Sequence, residues 1–292
     1  PHDFQATLDF LRARALPGVE HVDGDAYVRA FGDADAPSWL RVSAWPRGDG
    51  DSHALKLELH GCPPSRLLAT VGRVRRMFDL DADPRAIAGV LSRDARLRPL
   101  LRRHPGLRLP GGWDGFEVAV RAVVGQQVSV AAARTVASRL ALRHGTPLPA
   151  SFAASGLQCM FPTPAQLAEA DLSRIGLPSA RAATIHALAR AVAEGEVDFG
   201  SARTLDDFVE RWTALPGIGP WTAHYIALRA LGHPDAFPAG DLVLQRQLLA
   251  QADPDSPPAA RSAALAARAE AWRPWRAYAA IHAWRDASLA TP

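Results

Sequence analysis

The chain has 292 residues with a formal net charge of +3; 48% are hydrophobic and 22% are charged, a balance typical of a globular protein with a buried core. Its two cysteines are too few for a disulfide framework, a four-cysteine zinc site or a four-cysteine iron–sulfur cluster. No run of about 18 apolar residues predicts a membrane span and no secretory signal is recognisable, so we expect a cytoplasmic protein with no membrane partner.

The first 80 residues have the pattern of an α+β domain. Apolar residues at helical spacing predict a helix over 4–16, and alternating apolar residues predict antiparallel strands near 27–31, 40–44 and 55–59. The alternation indicates that one face of each strand is open to water. Breakers at 32–37 and 46–51 separate the strands, and a helix is predicted over 64–80.

From about residue 84 onward the strand patterns stop and helical patterns recur. Proline-rich joints at 144–164 and 253–258 are predicted as loops inside this region. We therefore expect a small α+β domain followed by a larger all-α part. The predicted helices are 84–93, 115–123, 127–143, 165–171, 179–194, 204–214, 220–231, 241–251, 258–271 and 274–287.

A tight turn, 215-LPGIG-219, joins two of these helices. Glycine-rich corners between helices are common and usually serve packing alone. Here Pro220 is a good first-turn residue, so the free N–H groups of the second helix are expected to face the loop. Gly217 and Gly219 leave room for a bulky anion near the backbone, and the helix dipole favours negative charge. The turn therefore predicts an anion site suited to a DNA phosphate.

The segment 215-LPGIGPWTAHYIALRALGHPDAFPAGDLVL-244 resembles the helix–hairpin–helix, Gly/Pro-rich loop and aspartate of the DNA glycosylase superfamily. Within it, the resemblance is to the alkylated-base glycosylases of the DNA-3-methyladenine glycosylase II type. It covers nearly the whole chain, through the stretches 10–20, 106–111, 119–133, 161–164 and 272–284.

The resemblance implies an α+β fold in which a mostly α-helical helix–hairpin–helix body carries a small N-terminal antiparallel α+β domain. The implied domains are 1–80, the N-terminal α+β domain; 81–112 with 236–292, a helical domain bearing the catalytic aspartate; and 113–235, with the hairpin. It further implies a monomer that flips alkylated purines out of double-stranded DNA and hydrolyses the N-glycosidic bond, leaving an abasic site.

Asp241 precedes an apolar-periodic helix, a position at which aspartate most often caps the helix. The resemblance assigns it the catalytic carboxylate, and the two roles are compatible. A carboxylate in a cleft stabilises the oxocarbenium character that develops on the sugar. Some relatives carry a second acid and an aromatic residue beside this position, where this chain has Gly240 and Leu242. This difference puts the range of substrates in doubt.

Aromatic residues are implied to form the base pocket. Trp221 and Tyr225 are four residues apart and share one helix face, a spacing that is also typical of core residues. Phe10 and Trp284 match pocket aromatics of the family, and Leu242 is assigned to the same pocket. N-alkylated purines carry positive charge, which indole faces attract by about 0.5–2 kcal/mol.

Three further residues are expected to contact DNA. Gln127 stands where relatives insert an apolar wedge, although glutamine is equally ordinary in the first turn of a helix. Ser129 and Thr222 are candidates for phosphate contacts.

Strand-cleaving relatives place a lysine directly after the hairpin, where this chain has Trp221; its only lysine, Lys56, lies in a predicted strand. The histidines show no metal-ligand spacing, so we expect neither a catalytic metal nor another cofactor. A structural monovalent cation at the hairpin carbonyls is implied by the resemblance. Two alternatives are a non-catalytic DNA-binding module, which has no need of Asp241, and a strand-cleaving glycosylase for oxidised bases.

Overall fold

The computed structural model describes residues 2–45, 54–249 and 256–290. Its strands are β1 (Glu20–Asp23), β2 (Ala26–Gly32), β3 (Pro37–Trp45), β4 (Ala54–His60), β5 (Thr146–Pro147) and β6 (Cys159–Met160). Its α-helices are α1 (Phe4–Arg14), α2 (Leu67–Met77), α3 (Pro84–Leu91), α4 (Leu97–Arg103), α5 (Gly115–Val124), α6 (Val130–His144), α7 (Pro164–Ala168), α8 (Ser179–Ala193), α9 (Leu205–Thr213), α10 (Pro220–Ala230), α11 (Leu242–Leu248), α12 (Pro258–Ala269) and α13 (Arg276–Ala290).

The expected combination of a small antiparallel sheet and a mostly helical body is confirmed. Strands β1 to β4 form one antiparallel sheet in chain order, with Tyr27 opposite Val42 and Val42 opposite Leu57. The core on one side of the sheet includes Tyr27, Val42, Leu8 of α1 and Phe78 just after α2. Apolar side chains on alternate strand positions thus bury themselves beneath two helices.

The prediction that one face of each strand is open to water is wrong for β2. Its opposite face, with Val28 and Ala30, packs against Leu157 and Met160 of the helical body. Six of its seven residues are buried. The strand is covered on both sides because it lies between its own domain's core and the segment that leads into β6.

A buried ion network joins the sheet to the helical body. Arg29 of β2 bonds Glu20 of β1 at 2.9 Å and also pairs with Glu117 of α5. Arg121 bonds Glu20 at 2.8 Å and Glu117 at 2.7 Å. The side chains of Glu20, Arg29 and Glu117 are at most 5% exposed, so these two carboxylates and two guanidinium groups compensate one another away from water.

Several local elements differ from the predicted ones. Helix α6 begins at Val130 rather than at 127, because Gln127 has a left-handed backbone with φ of 56° and Ser129 caps the helix. The prediction that strand patterns stop after 84 missed the two-residue strands β5 and β6, which pair inside the expected 144–164 loop. Helix α4 and strand β1 were also missed, because α4 has only seven residues and β1 only four.

The breaker at 46–51 and the first half of the joint at 253–258 lie outside the described residues. The predicted helix over 241–251 ends at Leu248. No helix in the described ranges combines the length and apolarity that crossing a bilayer requires.

Candidate active site

The hairpin between α9 and α10 presents an uncapped helix start. Pro220 is the first residue of α10, and Gly219 precedes it with an extended backbone. No described side chain caps this helix, so its first N–H groups stay available to a ligand. A Cβ on Gly219 would meet nothing within 4 Å.

Gly217 has a packing role in addition to the predicted contact with DNA. Its φ is +81°, and a Cβ on it would lie 2.0 Å from the Thr184 hydroxyl oxygen of α8. The backbone conformation and the contact with α8 both require glycine here. The bare surface that an anion can approach is therefore at Gly219.

Asp241 caps α11 and also faces the cavity described below. Its Oδ1 accepts hydrogen bonds from the Val243 and Leu244 amides, both at 3.0 Å, which fix the carboxylate at the helix start. Oδ1 also accepts from the indole Nε1 of Trp284 at 3.1 Å. Oδ2 accepts from the Trp221 Nε1 at 3.1 Å. Four donors from three elements therefore hold one carboxylate in a single orientation.

Three aromatic rings lie next to one another beside this carboxylate. Trp221 stacks on Tyr225 with ring centres 5.3 Å apart and planes 12° apart, as their spacing on α10 allows. Trp284 of α13 lies 6.2 Å from Tyr225 at an angle of 58°. All three side chains are half-buried, which leaves ring faces open to the cavity.

These groups line a cavity of about 450 Å³. Asp241 and the predicted aromatic residues of three helices meet there, namely Phe10, Trp221, Tyr225 and Trp284. The structure does not place Leu242 in this cavity: its side chain is 57% exposed, and Val243 lines the wall instead. The N-cap geometry at Asp241 turns Leu242 outward in the first turn of α11.

Two arginines that we did not predict form the far wall of the cavity. The Arg14 and Arg229 guanidinium carbons lie 3.7 Å and 4.7 Å from the Phe10 ring centre. Arg229 also donates to the Tyr225 hydroxyl at 3.1 Å and to the Pro110 carbonyl. Arg14 follows Phe10, and Arg229 follows Tyr225, by four residues, so helical spacing places each on the face of its helix that carries a predicted pocket residue. Only the packing of the two helices brings both arginines to one cavity wall.

The charges around Tyr225 change its acidity. Burial by itself raises the pKa of the phenol, but the positive fields of Arg229 and Arg14 outweigh this and lower its pKa. Burial lowers the pKa of Arg14 to about 10, so this guanidinium stays charged at neutral pH.

The three predicted DNA contacts have different surroundings. Gln127 is exposed in the turn before α6, and not in the first turn of a helix. Ser129 is exposed, but its hydroxyl caps α6 through the Ala132 amide. Thr222 is 3% exposed and accepts a hydrogen bond from Gln126 at 3.1 Å, so its side chain is buried in the free protein, and its contact with phosphate stays a prediction. The Gln126 amide also donates to the Gly217 carbonyl at 3.0 Å, an unpredicted tie between this turn and the hairpin.

Neither metal-binding clusters nor disulfides were found among residues 2–45, 54–249 and 256–290. No group of three or more His, Cys, Asp or Glu side chains there is arranged to hold a metal ion. Cys62 and Cys159 are free thiols.

Comparison with known proteins places this site in a family. Residues 1–114 match the AlkA N-terminal domain model, and residues 120–270, more than half of the chain, match the model of HhH-GPD superfamily base excision DNA repair proteins. The chain is 34% identical over 287 residues to DNA-3-methyladenine glycosylase 2 of Escherichia coli, covering 97% of this chain and 94% of that protein.

It is also 40% identical to the probable bifunctional transcriptional activator/DNA repair enzyme AlkA of Mycobacterium tuberculosis. That match covers 97% of this chain, which spans about half, 55%, of the relative's length. Among solved structures, the 3-methyladenine DNA-glycosylase from Archaeoglobus fulgidus has the same fold, with a TM-score of 0.79 at 20% identity over 99% of this chain and 96% of that one. The chain belongs to the HhH-GPD superfamily of base excision DNA repair proteins.

Proposed function

We propose that this protein is a monofunctional DNA glycosylase that excises alkylated purines from duplex DNA, leaving abasic sites. The observation that carries the proposal is the Asp241 carboxylate, held by four hydrogen bonds at the wall of an aromatic cavity. A cavity of about 450 Å³ is large enough to take a flipped base. The superfamily and the E. coli relative named above support the same activity.

The reaction needs only a fixed carboxylate and water. As the C1′–N bond of the damaged nucleotide breaks, its electron pair leaves with the base and the sugar gains oxocarbenium character. The Asp241 carboxylate stabilises this positive charge at the wall of the cavity. Water then adds to C1′ and loses a proton. Oδ2 accepts one hydrogen bond from the described residues, from Trp221, so it has lone-pair capacity left to orient that water.

The ring faces suit a damaged base better than an intact one. An N-alkylated purine is cationic, and aromatic faces attract cations by roughly 0.5–2 kcal/mol. Alkylation also weakens the glycosidic bond, so stacking between Trp221 and Trp284 would serve several substrates with little discrimination. A damaged base is also less costly to flip out of the stack.

The hairpin and the neighbouring turn are proposed to hold the DNA. The free N–H groups at the start of α10 suit a phosphate, and Gly219 lets it approach. Gln127, exposed on the 125–128 turn, is proposed to fill the vacated stack, and Ser129 to lie near the backbone. Backbone carbonyl oxygens of the hairpin are proposed as ligands of a structural monovalent cation. The Gly217 carbonyl already accepts a hydrogen bond from Gln126.

The lysine content supports the proposal that the reaction has no lyase step. A Schiff base needs an amine beside the sugar, and Trp221 occupies the position after the hairpin. Lys56, the only lysine, lies on β4, bonds Glu58 at 2.9 Å and is not part of the cavity wall.

Release of free bases from methylated duplex DNA tests the activity. We expect wild type to release them and Asp241→Asn to lose at least 100-fold in rate, about 2.7 kcal/mol of transition-state stabilisation. Asparagine keeps the N-cap, so the variant should fold and bind DNA normally. Release at the wild-type rate by a folded Asp241→Asn protein would show that this carboxylate is not catalytic.

Borohydride trapping tests the monofunctional claim. With only water as nucleophile, no covalent protein–DNA adduct should form during excision. A trapped adduct would mean that an amine of the protein attacks C1′.

A further inference from the structure

The two ends of the cavity carry opposite charge. Asp241 bonds Trp221, which stacks on Tyr225, and the Tyr225 hydroxyl accepts from Arg229. Arg14 follows in the same direction, stacked on Phe10. The guanidinium groups therefore lie beyond Tyr225 from the carboxylate. If Asp241 is next to the sugar, they are next to the part of the base that is remote from the sugar.

No carboxylate of residues 2–45, 54–249 or 256–290 pairs with this positive charge. The other charged groups deep in the cavity, Glu20, Glu117, Arg29 and Arg121, pair among themselves. Within the described ranges, neither Arg14 nor Arg229 forms an ion pair with a carboxylate. A base that enters the cavity thus meets two guanidinium groups that have no carboxylate partner among the described residues.

Arg14 has donors to spare. Nη1 donates to the Phe10 carbonyl at 3.3 Å, and the positive charge of Arg14 contributes to lowering the pKa of Tyr225. A guanidinium has five N–H groups, so most of them remain for a ligand. Arg229, in contrast, already donates to Pro110, Gly111 and Tyr225. Arg14 is therefore the residue of this wall that is free to bind a base.

We propose that Arg14 is a specificity-determining residue that selects 6-oxopurines, such as N-alkylated guanines and hypoxanthine, over 6-aminopurines. A 6-oxo group presents an acceptor to the guanidinium, whereas the 6-amino group of an adenine presents a donor. Since N-alkylated guanines and N-alkylated adenines are both cationic, the charge of the guanidinium opposes both, and the discrimination comes from the hydrogen-bond acceptor at position 6. The inference rests on the proposed glycosylase function and names the substrate class of the same cavity.

Methylated DNA supplies an internal comparison, because 7-methylguanine and 3-methyladenine are both cationic and are released in one reaction. We expect Arg14→Ala to lower the rate of 7-methylguanine release about 10- to 100-fold relative to that of 3-methyladenine, the effect of losing a hydrogen bond to a charged group. For Arg14→Lys we expect a ratio of the two release rates between those of wild type and Arg14→Ala, because lysine keeps the charge but lacks the planar guanidinium fork. Melting temperature and duplex affinity of each variant report folding separately.

Arg12→Ala is the matched control, since Arg12 lies on the same helix but is exposed and bonds Asp9. It should leave the ratio of released bases unchanged. A folded Arg14→Ala protein with the wild-type ratio, or with both rates reduced equally, would overturn the assignment while leaving the proposed function intact. A wild-type protein that releases neither base would overturn the proposed function and this inference with it.

Discussion

At the scale of single residues, the two hairpin glycines show how one motif serves two purposes. Gly217 has a left-handed backbone and contacts Thr184 of α8, so its missing side chain is a requirement of packing. Gly219 has an extended backbone and open space around its Cα. Any residue would fit there in the free protein, so its glycine is best explained by a ligand that approaches the backbone.

We therefore expect opposite consequences of two alanine substitutions. Gly217→Ala should lower the free energy of unfolding by about 2–4 kcal/mol, through backbone strain and the clash with Thr184. Gly219→Ala should change it by less than about 1 kcal/mol but weaken duplex binding roughly tenfold, as expected for a lost hydrogen bond to a charged phosphate. Urea unfolding and fluorescence anisotropy measure the two effects. Unchanged DNA affinity in Gly219→Ala would contradict the phosphate role.

At the scale of elements, the ion network decides how the sheet is joined to the helical body. Strands β1 and β2 contribute Glu20 and Arg29, and α5 contributes Glu117 and Arg121. The Arg121 Nη2 also donates to the Arg14 carbonyl at 2.5 Å, at the end of α1. Because α1 carries Phe10 and Arg14, this network sets the position of the cavity's far wall relative to α10.

Breaking one partner of the network should be costly. Glu117→Gln leaves the buried Arg29 without one of its two carboxylates, and we expect a loss of about 3 kcal/mol in the free energy of unfolding. Glu58→Gln breaks the more exposed pair with Lys56 and should cost much less, because exposed ion pairs contribute little to stability. Chemical unfolding compares the two. Equal losses would mean that the network is not a significant joint between sheet and helices.

At the scale of the whole molecule, burial keeps histidines neutral. Where a histidine pKa shift is resolved in the described ranges, it is downward, and desolvation is its largest cause. The pKa values of His224 and His282 are lowered to about 4. Between pH 6.5 and 4 the unfolded chain binds protons that the folded one does not, so the free energy of unfolding falls as the pH falls.

This effect is testable with one variant. Lowering the pH from 7 to 5 should cost roughly 2 kcal/mol of unfolding free energy for His282 alone, given a shift from 6.5 to about 4. His282→Gln has no such group and should show a flatter decline over this range, whatever its stability at pH 7. Urea unfolding at both pH values measures the difference. An identical decline in wild type and variant would show that His282 does not titrate as described.

The site residues that could be predicted from the sequence are those whose surroundings are local. The spacing of Trp221 and Tyr225 places them on one helix face, and they stack. The position of Asp241 before an apolar helix predicts a cap, and its carboxylate accepts from two amides of α11. The family resemblance added Phe10 and Trp284, which no local pattern connects with Asp241.

The tertiary structure decided the rest, because it depends on contacts between distant segments. The bonds of Asp241 to two indoles fix which side of α11 faces the cavity. On that side lies Val243, whereas Leu242 points away from the cavity. The approach of α1 to α10 brings Arg14 and Arg229 onto one aromatic ring. Thus the sequence alone determined the hairpin, the cap and the aromatic pair, through interactions within a few residues. Only the packing of helices far apart in the chain determined the charge and the walls of the cavity.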